Sequence, residues 1–365
     1  MINLRESLRN TLNIQDISEE KYRNLPYLSY SLLSKLDDDP RQAKAILDGK
    51  KPEPTDAMKD GTLLDILCFS NEEELHETYE IADIIKPSDK LVDISNVLLQ
   101  QFPDTFLQDI SNENLVTVGR YFKYNNKQLD HTLANTIRNG LTGYHNAIIK
   151  ADDKTVISTE KYNDFLTIKN VLQSHEFTSV YFEKGVHDGY EVHFQVPMTS
   201  LVDMKDAEGV IKGLLDIVLI DHNEKTIQIV DLKKDSIGKF RSSFYSFNYY
   251  LQGAMYYFIA RSNNLTDYKV LNPLYIVANI KDPYRPGVYK MSDNDISAGL
   301  YSGHFSSNPN ARVKGMYELI EDYYWHVKND KWDYPVEVYR SNGIIDLDKL
   351  EPDNDTQNKS KPNKS

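Results

Sequence analysis

The stretch from Gly213 to Lys234, GLLDIVLIDHNEKTIQIVDLKK, constrains the fold of this chain more than any other segment. It holds two apolar runs, Leu214–Ile220 and Ile227–Leu232, separated by the polar, turn-forming DHNEKT. Such a pattern predicts two antiparallel strands joined by a short loop. Each run carries one carboxylate, Asp216 in the first and Asp231 in the second, and Lys233 follows two residues after Asp231. Residues i and i+2 of a strand face the same side, so Asp231 and Lys233 project together. Charge inside Val/Ile/Leu strands is costly unless it is paired or bound to metal. Two carboxylates beside a lysine therefore suggest a site for a hard divalent cation such as Mg²⁺, which prefers oxygen ligands and needs few of them from protein. The plainer reading is a structural ion pair between Asp231 and Lys233, since same-face strand neighbours can pair.

At 365 residues the chain can bury one large core or two modest ones. With 40% hydrophobic residues it has enough apolar side chains for a globular fold. The 25 tyrosines fit a large mixed core, or surfaces on which bases stack. One cysteine, Cys68, excludes a disulfide framework, a cysteine-ligated zinc and an iron–sulfur cluster, and points to a reducing, intracellular setting. The opening MINLRESLRN has no apolar signal core, and no run reaches the length of a membrane span. A net charge of −13 argues against a generally basic nucleic-acid coat, but not against a local positive channel. Lys233, Lys234, Lys239 and Arg241 supply one just after the acidic pair, or else form a solvated basic loop.

Read in order, residues 1–25 form a short helical lead. Ser29 or Ser31 caps a helix carrying Leu32, Leu33 and Leu36, and a second helix runs from Arg41 to Gly49. A third, Ala57–Phe69, is apolar apart from Asp65. Residues 71–150 are mixed. A strand is expected within Ile81–Leu91, and Gly140 and Gly143 interrupt the helical pattern of Gln128–Ile149. Ser158 opens a helix to Ser174, after which Val180–Lys184 and Tyr190–Met198 read as strands. Beyond the central hairpin come a long helix over Ser243–Arg261, a buried strand at Leu274–Ile280, a partner strand within Tyr284–Met291, and a final amphipathic helix over Met316–Asn329. Gln252 and Tyr256, four apart, share one helix face. From Glu351 to Ser365 the composition is that of a disordered polar tail. The expected fold is α/β: a mixed central sheet flanked by helices, one domain over 26–335 with a helical N-terminal part.

This ordered set resembles the PD-(D/E)XK nuclease superfamily, in its RecB/RecE-like exonuclease branch. The residues that carry the likeness are GLLD (Gly213–Asp216), VDLKK with Asp231 and Lys233, and QGAMY with Gln252 and Tyr256. The openings YLSYSLLSKL and YIVANIKDPY are similar as well. The branch has a Gly-x-x-x-His helix whose histidine helps ligate metal, and here GTLLD, Gly61–Asp65, places aspartate there. Aspartate is a good ligand for Mg²⁺ or Mn²⁺, so the role can persist. No phosphate loop of a helicase is present, and a free-standing RecE-like enzyme fits best.

The resemblance implies a restriction-endonuclease-like core and a Mg²⁺-dependent deoxyribonuclease, with Mn²⁺ as a substitute ion. Asp216 and Asp231 would bind one or two ions, the Leu232 carbonyl would add a ligand, and Asp65 would complete the shell. Lys233 would position or deprotonate water or stabilise the phosphoryl group, a base role requiring a depressed pKa. Gln252 and Tyr256 would hold a DNA end, and Lys234, Lys239 and Arg241 its backbone. Glu183 and Glu191 rank as further acids. The resemblance also implies linear double-stranded DNA ends as substrate, digested 5′ to 3′ in viral or prophage recombination or repair, a single-strand annealing protein as partner, a homo-oligomeric ring, and cytoplasmic location. The alternatives are a structure-specific endonuclease on the same fold and a catalytically silent DNA-end binding protein.

Overall fold

The computed structural model describes residues 4–15, 17–50, 54–85, 87–204, 208–279, 284–305 and 308–344. The expected tail from Glu351 lies outside them. They form two compact units, one of the described residues within 1–55, 173–279 and 285–344, the other of those within 56–172 with Tyr284. The fold is the expected mixed α/β arrangement of a central mixed sheet flanked by helices. No helix among the described residues is long and apolar enough to cross a membrane.

The first unit is built on the central hairpin. The Asp216 strand, Glu208–Asp221, runs antiparallel to the Asp231 strand, Thr226–Lys234. Asp221 accepts the backbone N–H groups of Asn223 and Glu224 at 2.9 Å each, and Lys225 takes a positive φ of 51°, which closes the turn. On one side the Asp216 strand pairs along its length with Tyr190–Asp203, which then meets Gly185–Val186. On the other, the Asp231 strand pairs in parallel with Leu274–Ala278, and Gly287–Lys290 forms the edge. The parallel pair requires a crossover, and helices supply it.

Those helices differ from the single long one expected. The chain makes Phe240–Ser246, then reverses at Asn248 in the left-handed region (φ 54°), then makes Tyr249–Ser262. Asparagine tolerates that conformation, and a Ser/Asn pair inside an apolar run gives no periodicity signal. Val180–Lys184 is also not a strand: Ser179–Phe182 form a 3₁₀ turn. The N-terminal lead is structural, because Leu8 and Leu12 are buried in the main core.

One irregularity in the sheet positions the site. Phe194 pairs with Ile217 and Val196 with Leu215, but Gln195 and Asp216 between them do not pair, and Gln195 has φ 50°. The core takes Val218 and Ile220 on one side of this point and Ile211 and Leu215 on the other. The alternation therefore changes phase at Asp216, as a bulge-like break does.

A partly buried ionic cluster lies elsewhere in this unit. Lys314 reaches Asp322 and Glu337, each at 2.7 Å, from two different helices. Asp37 is a third acid there, its carboxyl pushed up to about 7 by burial although Lys314 opposes the shift. Removing one partner of a buried pair leaves uncompensated charge, so Lys314→Met is expected to cost about 3 kcal/mol in urea denaturation. The folded state keeps the Asp37 proton that the unfolded chain releases near the ordinary aspartate value of 3.8. Its contribution to stability is thus full below that pH and lost as pH rises through about 7. Asp37→Asn is expected to flatten that part of the stability–pH profile.

The second unit is mostly helical. Leu91, Ile94, Leu98, Leu115, Leu133, Ile137 and Leu141 are among its buried core. Tyr79–Ala82 pairs in parallel with Thr155–Ser158, matching the strand expected near Ile81 only at its start. Asp130–Ala151 is one continuous helix through both glycines. Gly140 is useful there, since a Cβ would lie 2.9 Å from Leu91 Cδ1.

Candidate functional site

The hairpin brings three of the expected residues together. Ile217 and Val230 are the last paired rung, and Asp216 and Asp231 are the next residues on each strand. Each oxygen of Asp216 accepts a hydrogen bond, Oδ2 from the Leu232 N–H at 3.0 Å and Oδ1 from the Gln195 amide at 3.3 Å. Asp216 thus locks the Asp231 strand at the residue between Asp231 and Lys233. Asp231 is buried, at 4% exposure, and Lys233 Nζ lies 2.6 Å from its Oδ2. That contact is a charge-assisted one to Oδ2, and Asp231 Oδ1 has no hydrogen-bond donor among the described residues.

Burial pushes the Asp231 carboxyl up, and Lys233 only partly opposes it. Burial disfavours the Lys233 charge as well, but Asp231, Asp216 and Tyr249 outweigh it and hold the ammonium above the ordinary lysine range. Lys233 therefore shows no sign of the depressed pKa that a base role requires. Its Nζ sits 4.6 Å from the centre of the Tyr249 ring, a favourable cation–π placement.

The Gln252 helix packs directly on this part of the sheet. The Tyr256 ring lies over Gly213, where a Cβ would come within 2.9 Å of Cε1 and 3.0 Å of Ile259 Cδ1. Gln252 Nε2 donates to the Tyr256 hydroxyl at 3.2 Å. That bond uses the amide nitrogen and leaves Gln252 Oε1 buried with no donor among the described residues. Burial, with Asp231 and Asp216 adding to it, pushes the Tyr256 phenol well up, so it stays a neutral donor.

Two buried acceptors without a donor among the described residues, Asp231 Oδ1 and Gln252 Oε1, are the property a hard cation would answer. Among the described residues no group of three or more His, Cys, Asp or Glu side chains is placed to hold a metal. Two carboxylates still suit Mg²⁺, which keeps several of its waters, so the donor set fits.

Other expected residues fall elsewhere. Strand alternation puts Lys234 on the opposite face from Asp231 and Lys233. Lys239 and Arg241 are exposed at the start of the Phe240–Ser246 helix. Asp65 belongs to the second unit, partly buried on the helix Asp56–Phe69. Glu183 accepts the Tyr190 hydroxyl, and Glu191 is held by two histidines, His193 at 2.8 Å and His222 at 2.6 Å.

Two site neighbours escape a reading of the sequence. Tyr249 precedes Gln252 by three residues, so helical spacing offered a signal for it. Gln195 offered none, because a glutamine in a strand is ordinary and its left-handed backbone is invisible in sequence.

No protein-family model matches this sequence, and no curated protein matches it. Among solved structures, the chain is similar to a protein of Eubacterium rectale described as a "putative exonuclease". The TM-score is 0.46 at 15% identity, over 95% of this chain and 99% of that one. It is also similar to the protein SSO0001, with TM-score 0.24 at 12% identity, over 72% of this chain and 96% of that one. Likeness at these levels carries no argument about function, which rests on the site itself.

Proposed function

We propose that this chain is a metal-dependent nuclease that hydrolyses phosphodiester bonds of linear double-stranded DNA as an exonuclease. The observation that carries the reading is the buried Asp231 carboxylate beside Asp216, with the Lys233 ammonium 2.6 Å from one of its oxygens and no hydrogen-bond donor among the described residues on the other. Asp231 and Asp216 would hold Mg²⁺, or Mn²⁺ in its place, with the Leu232 carbonyl as a further ligand. The bound ion supplies Lewis-acid stabilisation of phosphoryl charge and a more acidic water. Lys233 holds an ammonium at the same spot, suited to a phosphoryl oxygen or to orienting water. Gln252 and Tyr256 fix the helix to the sheet and carry polar atoms for a DNA end, while Lys239 and Arg241 offer cations to the backbone.

The RecE-like resemblance extends the proposal to 5′-to-3′ digestion in viral or prophage recombination or repair, in the cytoplasm. It adds an annealing protein as partner and a ring around DNA. The structural ion-pair reading accounts for the 2.6 Å contact to Oδ2 but leaves Asp231 Oδ1 without a donor among the described residues. End-labelled linear duplex DNA and a closed circle, each with Mg²⁺ and with chelator, test the reading. Release of nucleotides from the linear DNA alone, abolished by chelator, is the expected result. Cutting of the circle would convert it to an endonuclease, and no metal-dependent release from either would end it.

A further inference from the structure

A second polar constellation adjoins Asp216 and is used by none of the chemistry above. The carboxylate of Glu191, itself 1% exposed, accepts from His193 Nε2 and His222 Nε2. Tyr268 OH lies 3.0 Å from His222 Nδ1, so that ring is satisfied at both nitrogens. His193 is not. It is 3% exposed, Glu191 fixes its Nε2 as the donor, and its Nδ1 has no partner among the described residues. In the neutral imidazole that nitrogen is an acceptor.

His193 lines a cavity of about 170 Å³. The same cavity is lined by Gln195, with Leu8, Ile14 and Val196 as apolar wall and Lys184 as the one lysine or arginine among the described residues that line it. Gln195 must present its amide nitrogen to Asp216, because a carboxylate only accepts, so its carbonyl oxygen is left as a second acceptor. Lys184 is exposed. The cavity thus combines apolar walls, two acceptors and a cation. A flat heteroaromatic ring with an amino group matches the first two, and an attached phosphate matches the third.

We infer that this cavity binds the base of a nucleotide, with an exocyclic amino group shared between His193 Nδ1 and the Gln195 carbonyl and the phosphate on Lys184. Gln195 joins the two sites, so the bound nucleotide is the one next to the phosphodiester at Asp216. This deepens the proposed function and rests on it for what the nucleotide is doing there, though not for its binding. Thymine has one ring N–H where cytosine and adenine have an amino group with two hydrogens. A site built for the second hydrogen rejects the base that lacks it.

Calorimetric titration of dCMP, dTMP and deoxyribose 5-phosphate into the full chain, in chelator, tests the inference without calling on metal chemistry. Binding of dCMP about tenfold tighter than dTMP, with deoxyribose 5-phosphate weakest, is the expected order. His193→Ala should erase the difference between dCMP and dTMP. Should that variant not fold, Lys184→Ala, at an exposed position, should weaken dCMP and dTMP alike and leave their ratio intact. Equal binding of all three, no binding of any, or an unchanged ratio in folded His193→Ala would overturn the inference. A preserved dCMP preference in a chain that cleaves no DNA would instead overturn only the nuclease reading.

Discussion

Asp231→Asn is expected to lower Mg²⁺-dependent phosphodiester hydrolysis by about a thousandfold or more while the chain remains folded. Several kcal/mol of charge stabilisation depend on a cation held at the developing phosphoryl charge, and about 4 kcal/mol corresponds to that factor. Asparagine keeps the shape of Asp231 and one acceptor oxygen, so the packing against Tyr275, its partner across the parallel rung, survives. What is lost is the negative charge that would draw an ion into a buried place. The effect on folding is smaller. Stripping a partner from a buried pair costs about 3 kcal/mol or more. Here the Asp231 charge was itself disfavoured by burial, and Lys233 keeps the Tyr249 face and the field of Asp216. Initial rates on labelled duplex, alongside urea midpoints, separate the two effects. A variant with wild-type rates would remove Asp231 from the chemistry.

Gly213→Val is expected to destabilise the chain by about 3 kcal/mol and to abolish activity with it. The first added carbon already meets Tyr256 and Ile259 at 2.9–3.0 Å, and valine adds two methyl groups beyond it. Overpacking a close-packed core costs about 1–3 kcal/mol, and both neighbours are buried members of that core. Relief requires the Gln252 helix to lift from the sheet, carrying Gln252 and Tyr256 with it. Gly213→Ala should give a graded, smaller loss in the same direction. A urea midpoint unchanged in both variants would show that the helix does not approach the strand so closely.

The same glycine shows how much the sequence discloses. Its place at the head of GLLD was legible, but the ring that demands it was not, because Tyr256 lies 43 residues on. The hairpin was legible because its apolar runs alternate with nothing and its turn is rich in polar residues. The pairing of Asp231 with Lys233 followed from two-residue periodicity, which tertiary contacts did not disturb. Where the period broke, reading failed. Asn248 splits a helix whose apolar residues run on either side of it, and Gln195 takes a left-handed φ in mid-strand. Continuity through Gly140 depended on Leu91, on a different helix. The histidines that occupy Glu191 come from neighbouring positions and from the hairpin turn, and only the folded strands bring them onto one carboxylate.

The central claim is that Asp216 and Asp231 form a seat for a divalent cation. Titration of Mn²⁺ into the wild-type chain and into Asp231→Asn, followed by calorimetry or by the paramagnetic signal of the free ion, tests it most directly. Saturable binding to the wild type and its loss in the folded variant is the result this account predicts. Indistinguishable isotherms for the two proteins would contradict it.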